Sequence, residues 1–260
     1  MSPQVRVVIP ARFAATRLPG KPLLDLGGKP LLQHTWSAAQ ATGLEVLVAT
    51  DDPRVAEVAT SFGARSVLTP GRLESGTDRV AFVARELRWN AADVVVNLQV
   101  DEPFFPTQHL STVAGHLAAQ PDLSIATLGC AVTSREELFS EHTVKLVHDA
   151  QQRALYFSRA PIPWIREGMN AEQLDLAHFT RHIGVYAYRV GALLRLAGLP
   201  PAPLELLERL EQLRALHHGL AIHVTRVPTA PPAGIDTPED LRAARERVGQ
   251  RCVAETKAPA

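Results

Sequence analysis

The sequence predicts an α/β protein with a mainly parallel sheet and an antiparallel insertion near its middle. Three observations carry that expectation. Val5 to Ile9, Glu45 to Thr50 and Asp93 to Val100 are short, β-branched apolar runs of the kind buried on both faces of a parallel sheet. Stretches with helical spacing alternate with them, as in repeated β-loop-α units. From Val144 to about Tyr188 the pattern changes to short alternating runs broken by prolines.

The chain has 260 residues, of which 46% are hydrophobic and 21% charged, as for an enzyme-sized domain with a real core. The expected organisation is one domain over residues 1–248, an insertion at about 144–190, and a flexible tail at 249–260. Zero formal net charge argues against a nucleic-acid partner. No apolar run reaches membrane-spanning length and no signal segment precedes the first strand, so no membrane partner and a cytoplasmic location are expected. Cys130 and Cys252 offer neither metal-site spacing nor a disulfide framework.

The first strand stops at Pro10, and the loop after it carries Arg12, Arg17 and Lys21 without an acidic residue. In open α/β sheets ligands bind at the carboxyl ends of strands, and Gly20 lets backbone approach one. Arg forks and a Lys point charge suit a polyphosphate, a reading favoured over a basic loop that only solubilises a sheet edge. There is no G-x-G-x-x-G, and Pro22 after Gly20-Lys21 excludes a Walker loop.

Leu31 to Thr42 is spaced as a helix stopped by Gly43, and Arg54 to Phe62 as a shorter one closed by Gly63. Leu73 to Arg79 opens another helix. Ser75, Thr77 and Asp78 are capping types there, and a helix N-terminus can equally receive an anion. Asp93 to Val100 runs directly into Asp101-Glu102-Pro103. That acidic pair is either a solvated turn or a hard-cation ligand beside phosphates, and the basic loop favours the second.

Leu123 to Cys130 is a further strand; Val144 to His148, Ala154 to Phe157 and Arg181 to Tyr188 form the antiparallel part. Leu204 to Leu216 reads as one helix with Leu204, Leu207 and Leu210 on its buried face and Glu205, Glu208 and Glu211 on its solvated face. Thr237, Pro238 and Asp240 form a capping box at the last helix that does not use Asp236, just before it.

Pro10 to Leu23, Ser75-Gly-Thr-Asp-Arg79, Gln99-Val-Asp-Glu-Pro103, Tyr156-Phe-Ser-Arg-Ala-Pro-Ile-Pro-Trp164, Arg181-His-Ile-Gly-Val-Tyr186, Pro203-Leu-Glu205 with Leu210-Glu-Gln-Leu-Arg214, and Gly234-Ile-Asp236 together resemble the 3-deoxy-manno-octulosonate (Kdo) cytidylyltransferases. The resemblance runs from Val5 to about Val248 and departs at Val100, where that family carries glycine. It implies a Rossmann-like nucleotidyltransferase three-layer sandwich and transfer of CMP from CTP to Kdo with release of pyrophosphate, the activation step for lipopolysaccharide synthesis. It implies Arg12, Arg17 and Lys21 on the phosphates, Mg²⁺ on Asp101 and Asp236, and Ser75 and Gln99 facing nucleotide or sugar. Arg159, Arg166 and His182 are then candidates for the sugar carboxylate, with Tyr186, Glu211 and Gln212 on its hydroxyls, and a homodimer is implied. Alternatives are the same chemistry on 8-amino-Kdo or sialic acid, a UTP- or GTP-dependent transfer to a sugar phosphate, or a CTP-binding protein without turnover.

Overall fold

The computed structural model describes residues 3–14, 18–169 and 174–256, with side chains described up to Gly249. In chain order the elements are β1 (Val5–Pro10), α1 (Leu31–Gln40), β2 (Glu45–Thr50), α2 (Pro53–Ser61), β3 (Arg65–Leu68), α3 (Gly76–Glu86), β4 (Val94–Asn97), α4 (Thr107–Ala119), β5 (Ile125–Ala131), α5 (Arg135–Phe139), β6 (Lys145–His148), β7 (Ala154–Ser158), β8 (Thr180–Arg189), α6 (Val190–Ala197), α7 (Pro203–Glu208), α8 (Gln212–His217), β9 (Ile222–Arg226) and α9 (Pro238–Thr256). They group into two compact units. The first holds Arg6–Leu87, Asn97–Leu110 and the segment from Pro231; the second holds Arg88–Val96 and Ser111–Ala230.

The first unit is the parallel part. β2 lies between β1 and β3, with Val7 opposite Val46 and Leu47 opposite Arg65. Val7, Val8, Ile9, Leu47 and Val48 are fully buried, which is why these runs carry no polar alternation. Its helices begin where the sequence supplies caps. Asp52 accepts from Arg54 N at 2.9 Å ahead of Pro53, and Ser75 and Asp78 form a reciprocal box on α3. α9 continues to Thr256, past Gly249, where the sequence suggests a tail.

The second unit mixes directions. β8 lies between β4 and β5, antiparallel to β5, while β9 runs parallel to β5 on its other side. β6 pairs antiparallel with both β7 and β8, so the predicted antiparallel stretch is present and β5 joins it. The α/β class with flanking helices holds. No helix among the described residues is long and apolar enough to cross a membrane.

One expected element differs. The helix read over 204–216 is two short helices, because Arg209 takes a left-handed conformation (φ 55) between α7 and α8. The break resets the helical phase. Leu204, Leu206 and Leu207 are exposed, whereas Glu205 is buried with only 7% of its surface accessible. Glu205 accepts from Ala202 N at 2.9 Å and from Arg214 Nη2 at 2.6 Å, so its charge is compensated inside.

Candidate active site

In the first unit, the chain leaves β1 and is pinned at once: Ala11 N donates to Ala49 O at 2.8 Å and Phe13 N to Asp51 Oδ1 at 3.3 Å. Arg17 lies outside the described residues. The chain re-enters through Gly20, whose φ of 68 favours glycine, and whose Cβ would sit 3.4 Å from the Phe13 ring. Arg54 stacks on the other contact of that ring, 3.8 Å from its centroid. Lys21 follows, in a single 3₁₀ turn, Lys21–Leu23.

Lys21 Nζ lies 2.9 Å from Asp101 Oδ2 and 2.8 Å from Asp236 Oδ1. Three segments far apart in sequence thus converge on one buried ammonium. Asp101 sits in a turn beyond β4 in which Glu102 N donates to Gln99 O at 3.2 Å. Ile235 N donates to Asp101 O at 2.8 Å and draws in the irregular segment before α9. Gly234 makes this approach possible, since a Cβ there would stand 3.1 Å from Asp101 O. Asp240 Oδ2 then accepts from the N–H groups of Asp236 and Thr237 at 3.0 and 2.8 Å, which orients Asp236.

Burial alone would lower the Lys21 pKa, but the charges of Asp101 and Asp236 outweigh it and raise it. Asp101 is also pushed upward: burial is the main cause, Lys21 opposes it, and the like charge of Asp236 adds to it. Two carboxylates thus share one ammonium in a partly buried place.

Beside it is a cleft of about 220 Å³ lined by Arg12, Lys21, Ser75, Gly76, Arg79 and Gln99. Ser75 spends its hydroxyl as a cap, accepting from Asp78 N at 3.0 Å. A Cβ at Gly76 would stand 2.9 Å from Gln99 Nε2 and 3.2 Å from Pro10, so a larger residue would push the Gln99 amide aside. Arg79 is 2% exposed and held by Asp51 Oδ2 at 3.2 Å and by Thr69, so it forms a fixed positive wall. The sequence motif contained Arg79, but a mid-helix arginine gives no sign of its direction. Val100 also lines the cleft. Its φ is not in the left-handed region, and Thr35 Oγ1 donates to its carbonyl at 2.7 Å, so the turn accepts a β-branched residue without backbone strain.

The other candidates lie in the second unit. His182 Nε2 is 2.9 Å from Tyr186 Oη and 3.1 Å from Thr127 Oγ1. A register shift between Thr127 and Leu128 lets both β8 side chains meet Thr127. Burial, helped by Arg181, lowers the His182 pKa to about 3, and burial pushes the Tyr186 phenol well up. Both are neutral near pH 7, so His182 can meet a carboxylate only by hydrogen bonding, not as an ion pair. Glu211 stands at the head of α8 with Gln212 as its first residue, and the Glu211 charge reaches Tyr186. Arg159 is fastened to Glu208 and Glu141 through bonds of 2.7 to 2.9 Å. Arg166 is exposed, and no hydrogen bond joins it to these groups among the described residues. Thr127 and Glu208 were not anticipated; only strand register and a helix break bring them here.

Comparison with known proteins gives the family of the chain. The family model described as Cytidylyltransferase matches residues 6–222. The chain is 49% identical over 247 residues to a 3-deoxy-manno-octulosonate cytidylyltransferase of Idiomarina loihiensis, covering 94% of this chain and 98% of that one. It is 51% identical over 238 residues to the protein of that name from Thioalkalivibrio sulfidiphilus, covering 91% and 95%. A solved CMP:2-keto-3-deoxy-manno-octonic acid synthetase complexed with CTP matches with a TM-score of 0.86 at 40% identity, over 95% of this chain and 99% of that one. This chain belongs to the 3-deoxy-manno-octulosonate cytidylyltransferase family.

Proposed function

We propose that the chain transfers CMP from CTP to the anomeric hydroxyl of Kdo and releases pyrophosphate, in the cytoplasm, to supply the activated sugar for lipopolysaccharide. The observation that carries this reading is the convergence of Asp101 and Asp236 on Lys21 beside a cleft lined by Arg12 and Arg79. Two carboxylates and several cations in one place suit a triphosphate together with a hard divalent ion.

The pair fits Mg²⁺: both donors are hard oxygens, and they already share one cation, the Lys21 ammonium. Among the described residues no cluster of three or more protein ligands forms, so the remaining positions fall to substrate oxygens and water. When bound, Mg²⁺ would supply Lewis-acid stabilisation of the reacting phosphate and sugar oxygens. The rest is the work of this chain. The sugar hydroxyl gives up its proton to water and its oxygen attacks the α-phosphorus as the bond to the bridging oxygen breaks, and negative charge gathers on the departing pyrophosphate. Arg12, Arg17 and Lys21 neutralise that charge, with Arg79 as a fixed background, so rate comes from positioning and electrostatics. Ser75 and Gln99 face the nucleotide.

Kdo is received by neutral groups together with Arg159, Arg166 and Glu211. Thr127 Oγ1 has its nearest acceptor at Val185 O, 2.8 Å away. With the His182 proton on Nε2, the imidazole donates toward Thr127 and Tyr186, whose phenol also bonds Thr127, so the sugar meets a neutral hydrogen-bonded cluster. Glu211 and Gln212 take further hydroxyls, and Arg166 closes on the carboxylate. The proposal includes a homodimer, for which exposed Leu206 and Leu207 offer apolar surface.

The test is pyrophosphate release from CTP and Mg²⁺ with Kdo, 8-amino-Kdo and sialic acid in parallel. Release with Kdo is the expected result. Release with only another acid sugar moves the substrate, and none with any of them contradicts the proposal.

A further inference from the structure

Glu208 ends α7, one residue before the left-handed Arg209 and three before Glu211. Its carboxylate reaches across to β7. Oε1 accepts from Ser158 Oγ at 2.6 Å and from the Tyr156 hydroxyl at 3.4 Å, and Oε2 accepts from Arg159 N at 2.9 Å. Its own carbonyl accepts from Arg159 Nε at 2.8 Å. Arg159 Nη1 donates in turn to Glu141 O at 2.7 Å.

The other side of Arg159 is closed by Lys145. That side chain is fully buried, and its ammonium donates to the carbonyls of Ser140, Thr143 and Arg159. Three carbonyls satisfy all three ammonium protons, the arrangement a buried lysine needs. Arg159 is thereby held at its backbone N–H, its backbone carbonyl, Nε and Nη1, so only Nη2 is left uncommitted among the described residues. An arginine ordinarily loses much rotamer freedom on meeting a ligand; this one has lost it beforehand.

We propose that Glu208 is a positioning residue for the acid sugar, fixing Arg159 and the Glu211–Gln212 segment through one carboxylate, with Lys145 as its counterpart behind Arg159. This rests on the reading that Arg159, Glu211 and Gln212 receive Kdo. The geometry explains why one group can serve both: the carboxylate faces β7 while the main chain of Glu208 leads directly into the turn that sets Glu211. Glutamine is a partial substitute. Its oxygen can accept from Arg159 N, and its amide can donate to Ser158 Oγ, which also accepts from Ala160 N at 3.0 Å. Alanine replaces neither contact.

The experiment measures kcat, both KM values and CTP dissociation constants for Glu208→Ala, Glu208→Gln and Ser158→Ala. Loss of charge-assisted bonds that preorganise Arg159 should raise KM for Kdo about tenfold or more in Glu208→Ala and less in Glu208→Gln, with CTP affinity within about twofold of wild type. Should the alanine variant fail to fold, the graded rise in Kdo KM from Ser158→Ala to Glu208→Gln carries the test. An unchanged Kdo KM with reduced melting temperature, or equal rises for Kdo and CTP, would mean that Glu208 only holds the fold. Wild type without turnover on any acid sugar would overturn the functional reading and this one with it; an active wild type with unaffected variants would overturn this one alone.

Discussion

The first unit gathers full charges around its cleft, whereas the second arranges neutral groups around Tyr186. Lys21, Asp101 and Asp236 meet within 2.9 Å in the first. His182, Tyr186 and Thr127 meet within 3.1 Å in the second, and His182 there has a pKa of about 3. Phosphates and divalent ions are recognised by charge, since a developing charge needs a fixed counter-charge. Sugar hydroxyls are recognised by donors and acceptors whose roles are set by their neighbours. Charges in the second unit mostly serve structure: Glu205 binds Arg214 and Ala202, and Lys145 binds carbonyls. On the proposed function, the same residue types would do chemistry in the first unit and mostly hold architecture in the second.

The sharpest way to break this contrast is Asp101→Asn. It keeps the shape but removes one of the two charges, and kcat should fall about a thousandfold, as when a preorganised electrostatic group is lost. A fall under tenfold would remove Asp101 from the chemistry. Next in size is Glu205→Gln. With Arg214 left uncompensated, urea unfolding should show about 3 kcal/mol lost, while KM for CTP stays unchanged. The Glu205 pKa is lowered: burial opposes this, but the Arg214 bonds and the Ala202 N–H prevail. Its contribution is therefore complete above its unfolded value of 4.5 and is lost as pH falls through the lower folded value.

His182 gives a smaller, pH-dependent effect. Its folded value of about 3 lies below the ordinary histidine value of 6.5, so the unfolded chain binds more protons between them and stability rises with pH there. The slope is up to about 1.4 kcal/mol per pH unit, and His182→Gln should flatten it; an unaltered slope would place the titration elsewhere. Smallest is Val100→Gly. Because Val100 already has an ordinary φ, both KM values should stay within about threefold of wild type, as for a single apolar contact in a cleft wall.

Much of the first unit was legible in the sequence because its functional groups follow uninterrupted apolar runs. Strand ends announce themselves, and Asp101 and Lys21 stand in the segments that follow two of them. Asp236 was visible as the acid that the α9 cap does not use. The second unit was less legible. The meeting of Thr127 with His182 and Tyr186 depends on a register shift that no local pattern reports. Glu205 and Leu207 exchanged their expected places because Arg209 restarts the helical phase, and a left-handed arginine has no sequence signature. β3 and β9 went unread, being short and partly polar, and α4, α5 and α6 went unread as well.

The division itself is best tested by one matrix of steady-state constants, for Lys21→Met and Tyr186→Phe with CTP and Kdo each varied. Lys21→Met should lower kcat by about a hundredfold or more with KM for Kdo nearly unchanged, and Tyr186→Phe should raise KM for Kdo several-fold with KM for CTP unchanged. If both variants instead shift the same constants in the same proportion, the charged and neutral sites do not have separate tasks, and the account fails.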